Sequence, residues 1–144
     1  MPKWVQHGYE EYAKRLPKEL NPTLVELGIG HRGKGSSLEK AKSQEAENII
    51  KAIPNGSVLI ALDVLGKHMS TPALSKKMSN WQMNGRDITL LIGGPDGIEP
   101  SILKQASELW SLSDLTLPHP LVRVVLIEQL YRAWTILQNH PYHK

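Results

Sequence analysis

Three glycines within five residues, Gly93, Gly94 and Gly97, close the apolar run LLI, with Pro95 and Asp96 between them. Glycine at a strand end lets a ligand lie against the main chain, so this turn is a candidate for binding. The spacing is not the G-x-G-x-x-G of a dinucleotide fingerprint. It is not a phosphate loop either: no Gly-Lys-Ser/Thr closes it, and Pro95 removes an N–H that a phosphate cradle would use. A tight strand-to-helix turn that holds nothing is the other reading of the same residues.

Asp63 ends a second apolar run, VLIALD. An acid there can meet a ribose hydroxyl or an amino group, or cap the next turn. His119 stands between two prolines in LPHPLVR, and His140 and His143 lie three apart in the terminal NHPYHK. Two histidines without nearby carboxylates make a poor metal site, and neither H-E-x-x-H nor G-x-S-x-G occurs. No metal is expected. His31, Arg32 and Lys34 form a basic loop that can contact phosphates or simply be solvated charge.

The elements that position these groups alternate. Pro2 opens a helix to Leu16, TLVELGI (Thr23–Ile29) reads as a strand, and Ser36 with Glu39 has capping-box spacing for a helix to Ile53. SVLIALD (Ser57–Asp63) and DITLLIGG are strands apolar on both faces, as in a parallel sheet. Thr71 and Pro72 start a helix to Met83, Glu99 or Pro100 one to Leu109, and Pro120 one to Gln138. WSLSDLTLPHP is a short strand or loop. The class is α/β with a mostly parallel sheet, in a single domain spanning 1–144. Open sheets of this class bind ligands at the carboxyl ends of their strands, where Asp63 and Gly93 fall.

The chain has no cysteine, which excludes disulfides, thiol catalysis and Cys-based zinc sites and fits a reducing cytoplasm. The N-terminal MPKWVQHGYEEYAKRL has no apolar core of signal-peptide type, and no run of about 18 apolar residues exists, so no membrane partner is expected. A net charge of +3 permits a nucleic-acid partner without demanding one. Between Leu121 and Gln138 only Arg123, Glu128, Gln129, Arg132, Thr135 and Gln138 are polar. That apolar girth exceeds a one-sided stripe and points to a helix that also serves a homodimer, the alternative being a central core helix. Residue chemistry alone thus describes a dimeric α/β ligand binder and does not name a reaction.

The stretches ALDVLGK, GRDITLLIGGPDG, WSLSDLTLPHPLVRVVLIEQLYRAW and NHPYHK together resemble the ribosomal RNA large subunit methyltransferase H family, part of the SPOUT class of knotted methyltransferases. The resemblance covers essentially the whole chain. It implies a C-terminal trefoil knot, a homodimer, and an S-adenosylmethionine pocket at Leu62, Gly93 and the run Leu112, Ser113, Asp114, Leu115, Thr116, Leu117. It also implies methyl transfer to N3 of a pseudouridine in 23S rRNA of the assembled ribosome. His119, Arg123, Tyr142 and His143 are of the right type to take the N3 proton or steady the resulting anion. Family members usually begin with a short strand before the segment matching MPKWV; either the start at Met1 is an internal methionine or the first strand is missing, which would leave its neighbour with unpaired backbone groups. Other readings are a non-catalytic ribosome-binding or assembly module with this fold, and a SPOUT enzyme acting on transfer RNA.

Overall fold

The computed structural model describes residues 2–20, 22–27, 38–94 and 97–143. Helix α1 (Lys3–Ala13) is followed by a 3-10 turn, helix α2 (Leu38–Ala52), strand β1 (Val58–Lys67), helix α3 (Thr71–Asn84) and strand β2 (Ile88–Ile92). A short helix α4 (Pro100–Leu103), strand β3 (Glu108–Trp110), helix α5 (His119–Leu137) and a 3-10 turn (Pro141–His143) complete the order.

The strands form one parallel sheet in the order β2-β1-β3. The middle strand shows why its sequence is apolar throughout. Leu59 packs with Ala46 of α2 and Ile102 of α4 on one face. Its neighbour Ile60, fully buried, faces the larger cluster with Ala13, Met78, Trp110, Ile127 and Leu130 on the other. Successive side chains of a strand point to opposite faces, so each layer of helices claims alternate residues.

Helix α3 is stopped and started by its own residues. The Ser70 hydroxyl accepts from the Ala73 N–H at 3.2 Å, and Gly85 closes the far end in the left-handed conformation. The N-cap is thus Ser70, one residue before the expected Thr71, whose hydroxyl is used elsewhere. The buried Ser75 hydroxyl donates to the Ala133 carbonyl at 3.0 Å, tying α3 to α5.

Two expected elements differ. Thr23–Leu27 are not a strand, and Leu24, Val25 and Leu27 are exposed. A strand is made by its ladder, and among the described residues none lies alongside this segment. The helix expected to reach Leu109 stops at Leu103, because Ser107 N–H bonds the Leu59 carbonyl at 2.8 Å and draws the chain into β3. The basic loop of His31, Arg32 and Lys34, and the Ser36 cap, lie outside the described residues.

Candidate functional site

Leu62 is the hub. On the middle strand it pairs in register with Ile92 on one side and Trp110 on the other. Ile92 is the residue before Gly93, and Trp110 leads through Ser111 into Leu112. The sheet therefore brings Leu62, Gly93 and the start of the 112–117 run to one edge, at the carboxyl ends of three parallel strands.

Beyond Leu62 the middle strand bulges, then returns: Lys67 also pairs with Trp110, and the Ser111 N–H donates to the Lys67 carbonyl at 3.0 Å. Asp63 folds inward on this bulge, its carboxylate accepting from the Leu65 N–H at 3.1 Å. That is the turn-capping alternative of the sequence reading. Leu65 itself is 89% exposed. Gly66 is the point of closest approach: a Cβ there would stand 2.6–2.7 Å from main-chain atoms of Leu109 and Trp110.

Gly93 needs its glycine for a different reason from the one expected. A Cβ there would meet Ile98 Cγ1 at 2.7 Å, inside the protein's own turn. Gly97, with φ +79°, is the turn residue that requires glycine's freedom. Pro95 and Asp96 lie outside the described residues.

The 112–117 segment is irregular. The Ser111 hydroxyl donates to the Ser113 carbonyl at 3.0 Å, and the Ser113 hydroxyl accepts from the Leu115 N–H at 3.0 Å. The exposed Asp114 carboxylate lies 3.1 Å from His68 Nε2. Among the described residues the N–H groups of Leu112, Thr116 and Leu117 find no acceptor, and Leu115 is 74% exposed. Adenine asks for an apolar slot lined by main-chain hydrogen-bonding groups, and this edge offers both. A cleft of about 320 Å³ adjoins it, walled by Leu112, Trp110, Thr71 and Gln129 among others. A cavity of about 290 Å³ at the opposite end of β1, around Asn55 and Gln105, contains none of the candidate residues.

The catalytic candidates are spread along α5. His119 is its first residue. Arg123 Nη1 lies 3.3 Å from Glu26 Oε1 and beside Tyr9, whose hydroxyl pKa is raised by burial and partly lowered again by Arg123. The tail turns back where Asn139 adopts φ +55°, so Asn139 rather than Pro141 makes the exit from α5. Tyr142 then docks on a different set of partners from those of Arg123. Its hydroxyl donates to Glu128 Oε1 at 3.1 Å, and its ring meets Tyr131 edge-on at 4.6 Å. The Arg132 guanidinium sits 5.0 Å from the ring centre. Burial, then hydrogen bonds with Tyr12 and Glu128, push the Tyr142 hydroxyl well above the ordinary tyrosine range. It is a neutral donor, unable to serve as a base near neutral pH. The His143 side chain lies outside the described residues.

Sequence reasoning passed over Gly66 and Glu128. A glycine inside a strand signals close main-chain approach, and a lone carboxylate in an apolar helix asks for a partner; both signals were present.

A family model described as predicted SPOUT methyltransferase matches residues 1–143. The ribosomal RNA large subunit methyltransferase H of Saccharophagus degradans is 63% identical over 144 residues, covering all of this chain and 93% of the relative. Those of Teredinibacter turnerae and Marinomonas sp. are 59% and 52% identical, each again over the whole chain and 93% of the relative. The chain belongs to the SPOUT methyltransferases and, within them, to the ribosomal RNA large subunit methyltransferase H family.

Proposed function

We propose that the chain is a single-domain cytoplasmic enzyme that methylates N3 of a pseudouridine in 23S rRNA of the assembled ribosome. It works as a homodimer and uses S-adenosylmethionine. The observation that carries this reading is the meeting of Leu62, Gly93 and the start of the Leu112–Leu117 run at one sheet edge. The names of the relatives supply the substrate class.

When bound, S-adenosylmethionine supplies a methyl group on a sulfonium, ready for in-line displacement. The protein's share is alignment and exclusion of water. Leu62, Leu115 and Leu117 give apolar walls; Gly93, Leu112, Ser113, Asp114 and Thr116 give main-chain and polar contacts. The N3–H of the base must lose its proton. His119 or His143 takes it, and Arg123 steadies the anion. Tyr142, whose hydroxyl proton is given to Glu128, stacks on the base. The reading includes the family's trefoil knot.

The test is methyl transfer from labelled S-adenosylmethionine to ribosomes lacking this methylation, with the modified base mapped. Deleting residues 140–144 should abolish turnover and leave cofactor affinity nearly unchanged. A truncated enzyme that works at the wild-type rate removes Tyr142 and His143 from the site. Ribosome binding without cofactor binding would favour the assembly module, and labelling of transfer RNA the other SPOUT activity.

A further inference from the structure

One unbroken hydrogen-bonded path joins the cleft beside Leu112 to the C-terminal tail. Thr71 Oγ1, on the cleft wall, donates to Gln129 Oε1 at 2.7 Å. Gln129 Nε2 donates to Glu128 Oε2 at 2.8 Å. Glu128 Oε1 then accepts from Arg132, at 2.9 Å from Nε and 2.6 Å from Nη2, and from the Tyr142 hydroxyl at 3.1 Å. The Glu128 side chain is only 16% exposed. A carboxylate so placed in an apolar helix is costly unless its oxygens are satisfied, and here both are.

The path has a fixed sense. A carboxylate only accepts, so the Gln129 amide nitrogen faces Glu128 and the amide oxygen is left to accept the Thr71 hydroxyl proton. The Arg132 fork fixes the carboxylate, leaving Oε1 aimed at the tail. Arg132 also lies over the Tyr142 ring, so the same ion pair holds both the hydroxyl and the face of that residue.

We propose that Glu128 is the positioning residue of the C-terminal tail, and that the path from Thr71 through Gln129 and Glu128 to Tyr142 ties the tail's seat to the cleft beside Leu112. The inference rests on the reading that the tail meets the substrate base. Deletion of residues 140–144 tests that reading; variants of Glu128 test the latch.

The full-length protein, Glu128→Ala and Glu128→Gln are compared by amide hydrogen exchange of the segment 138–143, by S-adenosylmethionine titration and by single-turnover transfer to ribosomes. Glu128→Ala should raise exchange in that segment and slow transfer, each by about tenfold, the scale of one or two hydrogen bonds. Cofactor affinity should stay within about twofold, because Glu128 is not placed at the cofactor edge. Glu128→Gln, which keeps an oxygen for Tyr142, should recover part of the transfer rate. A merely structural role predicts lost cofactor affinity and no recovery. Where the alanine variant does not fold, Tyr142→Phe keeps the ring on Tyr131, and the same rise in exchange is expected. Unchanged tail exchange in both variants overturns the proposal, as does a freed tail with wild-type turnover. In that last case, a dead truncation removes the latch alone, whereas an active truncation removes the reading beneath it.

Discussion

A methyl group at position 66 has nowhere to go. A Cβ built there stands 2.6 Å from the Trp110 carbonyl carbon and 2.7 Å from both the Leu109 carbonyl carbon and the Trp110 nitrogen. All three are main-chain atoms, which yield only if the strand yields. The strand is held by the Lys67–Trp110 pairing and the 3.0 Å bond from Ser111 N–H to Lys67. Overpacking costs about 1–3 kcal/mol, and one weakened ladder bond adds about 1 kcal/mol. The stiffer unfolded chain of an alanine variant gives back about 0.4–1 kcal/mol. Gly66→Ala should therefore lose about 1–3 kcal/mol, lowering Tm by about 3–10 °C in a chain of this size. Gly94→Ala is the control: among the described residues nothing lies within 4 Å of its Cβ, and its φ is not positive. It should stay within about 0.5 kcal/mol of wild type. Urea unfolding followed by tryptophan fluorescence measures both, because the Trp81 and Trp110 rings stack at 5.9 Å beside the crossing. If Gly66→Ala and Gly94→Ala unfold within about 0.5 kcal/mol of each other, the close crossing is not there and the argument fails.

Burial raises the Glu108 carboxyl pKa, but hydrogen bonds from Lys77 at 2.6 Å and the Trp110 indole at 3.2 Å outweigh it and hold the group below its ordinary range. Its stabilising effect is present above the ordinary carboxylate pKa and is lost as pH falls through the lower folded value. Glu108→Gln should therefore melt below wild type at pH 7, with the gap closing in acid; a pH-independent gap would refute the sign. Gly93→Val should weaken S-adenosylmethionine binding by at least about 2 kcal/mol, since the branched side chain must displace Ile98 and distort the turn. Equal affinities by calorimetry would take the turn out of the site.

What the sequence disclosed follows from where each signal originates. VLIALD announced a buried parallel strand because Leu59 and Ile60 satisfy different helical layers, and that demand is written into consecutive residues; TLLI is a parallel strand as well, but it lies at the sheet edge and is only half-buried. The proline-led starts of α3 and α5 are local chemistry too. Thr23–Leu27 misled because an apolar pattern is local, while a strand needs a partner strand that no local pattern supplies. The helix from Pro100 ended early for the complementary reason: Ser107 and Glu108 serve a ladder on β1, and tertiary pairing overrode propensity. The strand-end rule drew attention to Gly93, but its contact with Ile98 in the turn is tertiary and was not legible. Gly66 demanded knowledge of which strand would cross it, and the tail's seat depended on which way Glu128 faced.

The positions of the catalytic candidates carry a consequence for assembly. Arg123 and Glu128 are five residues apart on α5, about 7.5 Å along the axis and on different faces. Arg123 sits with Glu26 and Tyr9, while Tyr142 is seated at Glu128, Tyr131 and Arg132. With the tail held there, Arg123 and Tyr142 of one chain have separate partners, and we propose that they do not meet the same base. Two chains related by a twofold axis can bring them to one base, with Arg123 of one beside the tail of the other, across the apolar girth of α5. Mixed dimers of an Arg123→Ala chain with a chain lacking residues 140–144 decide between the arrangements. A site shared between chains leaves one intact active site per mixed dimer, so activity should return to about half the wild-type value although each parent is inactive. A site built within each chain leaves both defective, and a mixture as inactive as its parents would refute the shared site. Light scattering on the same samples must give the dimer mass, since a monomer at micromolar concentration would remove the premise.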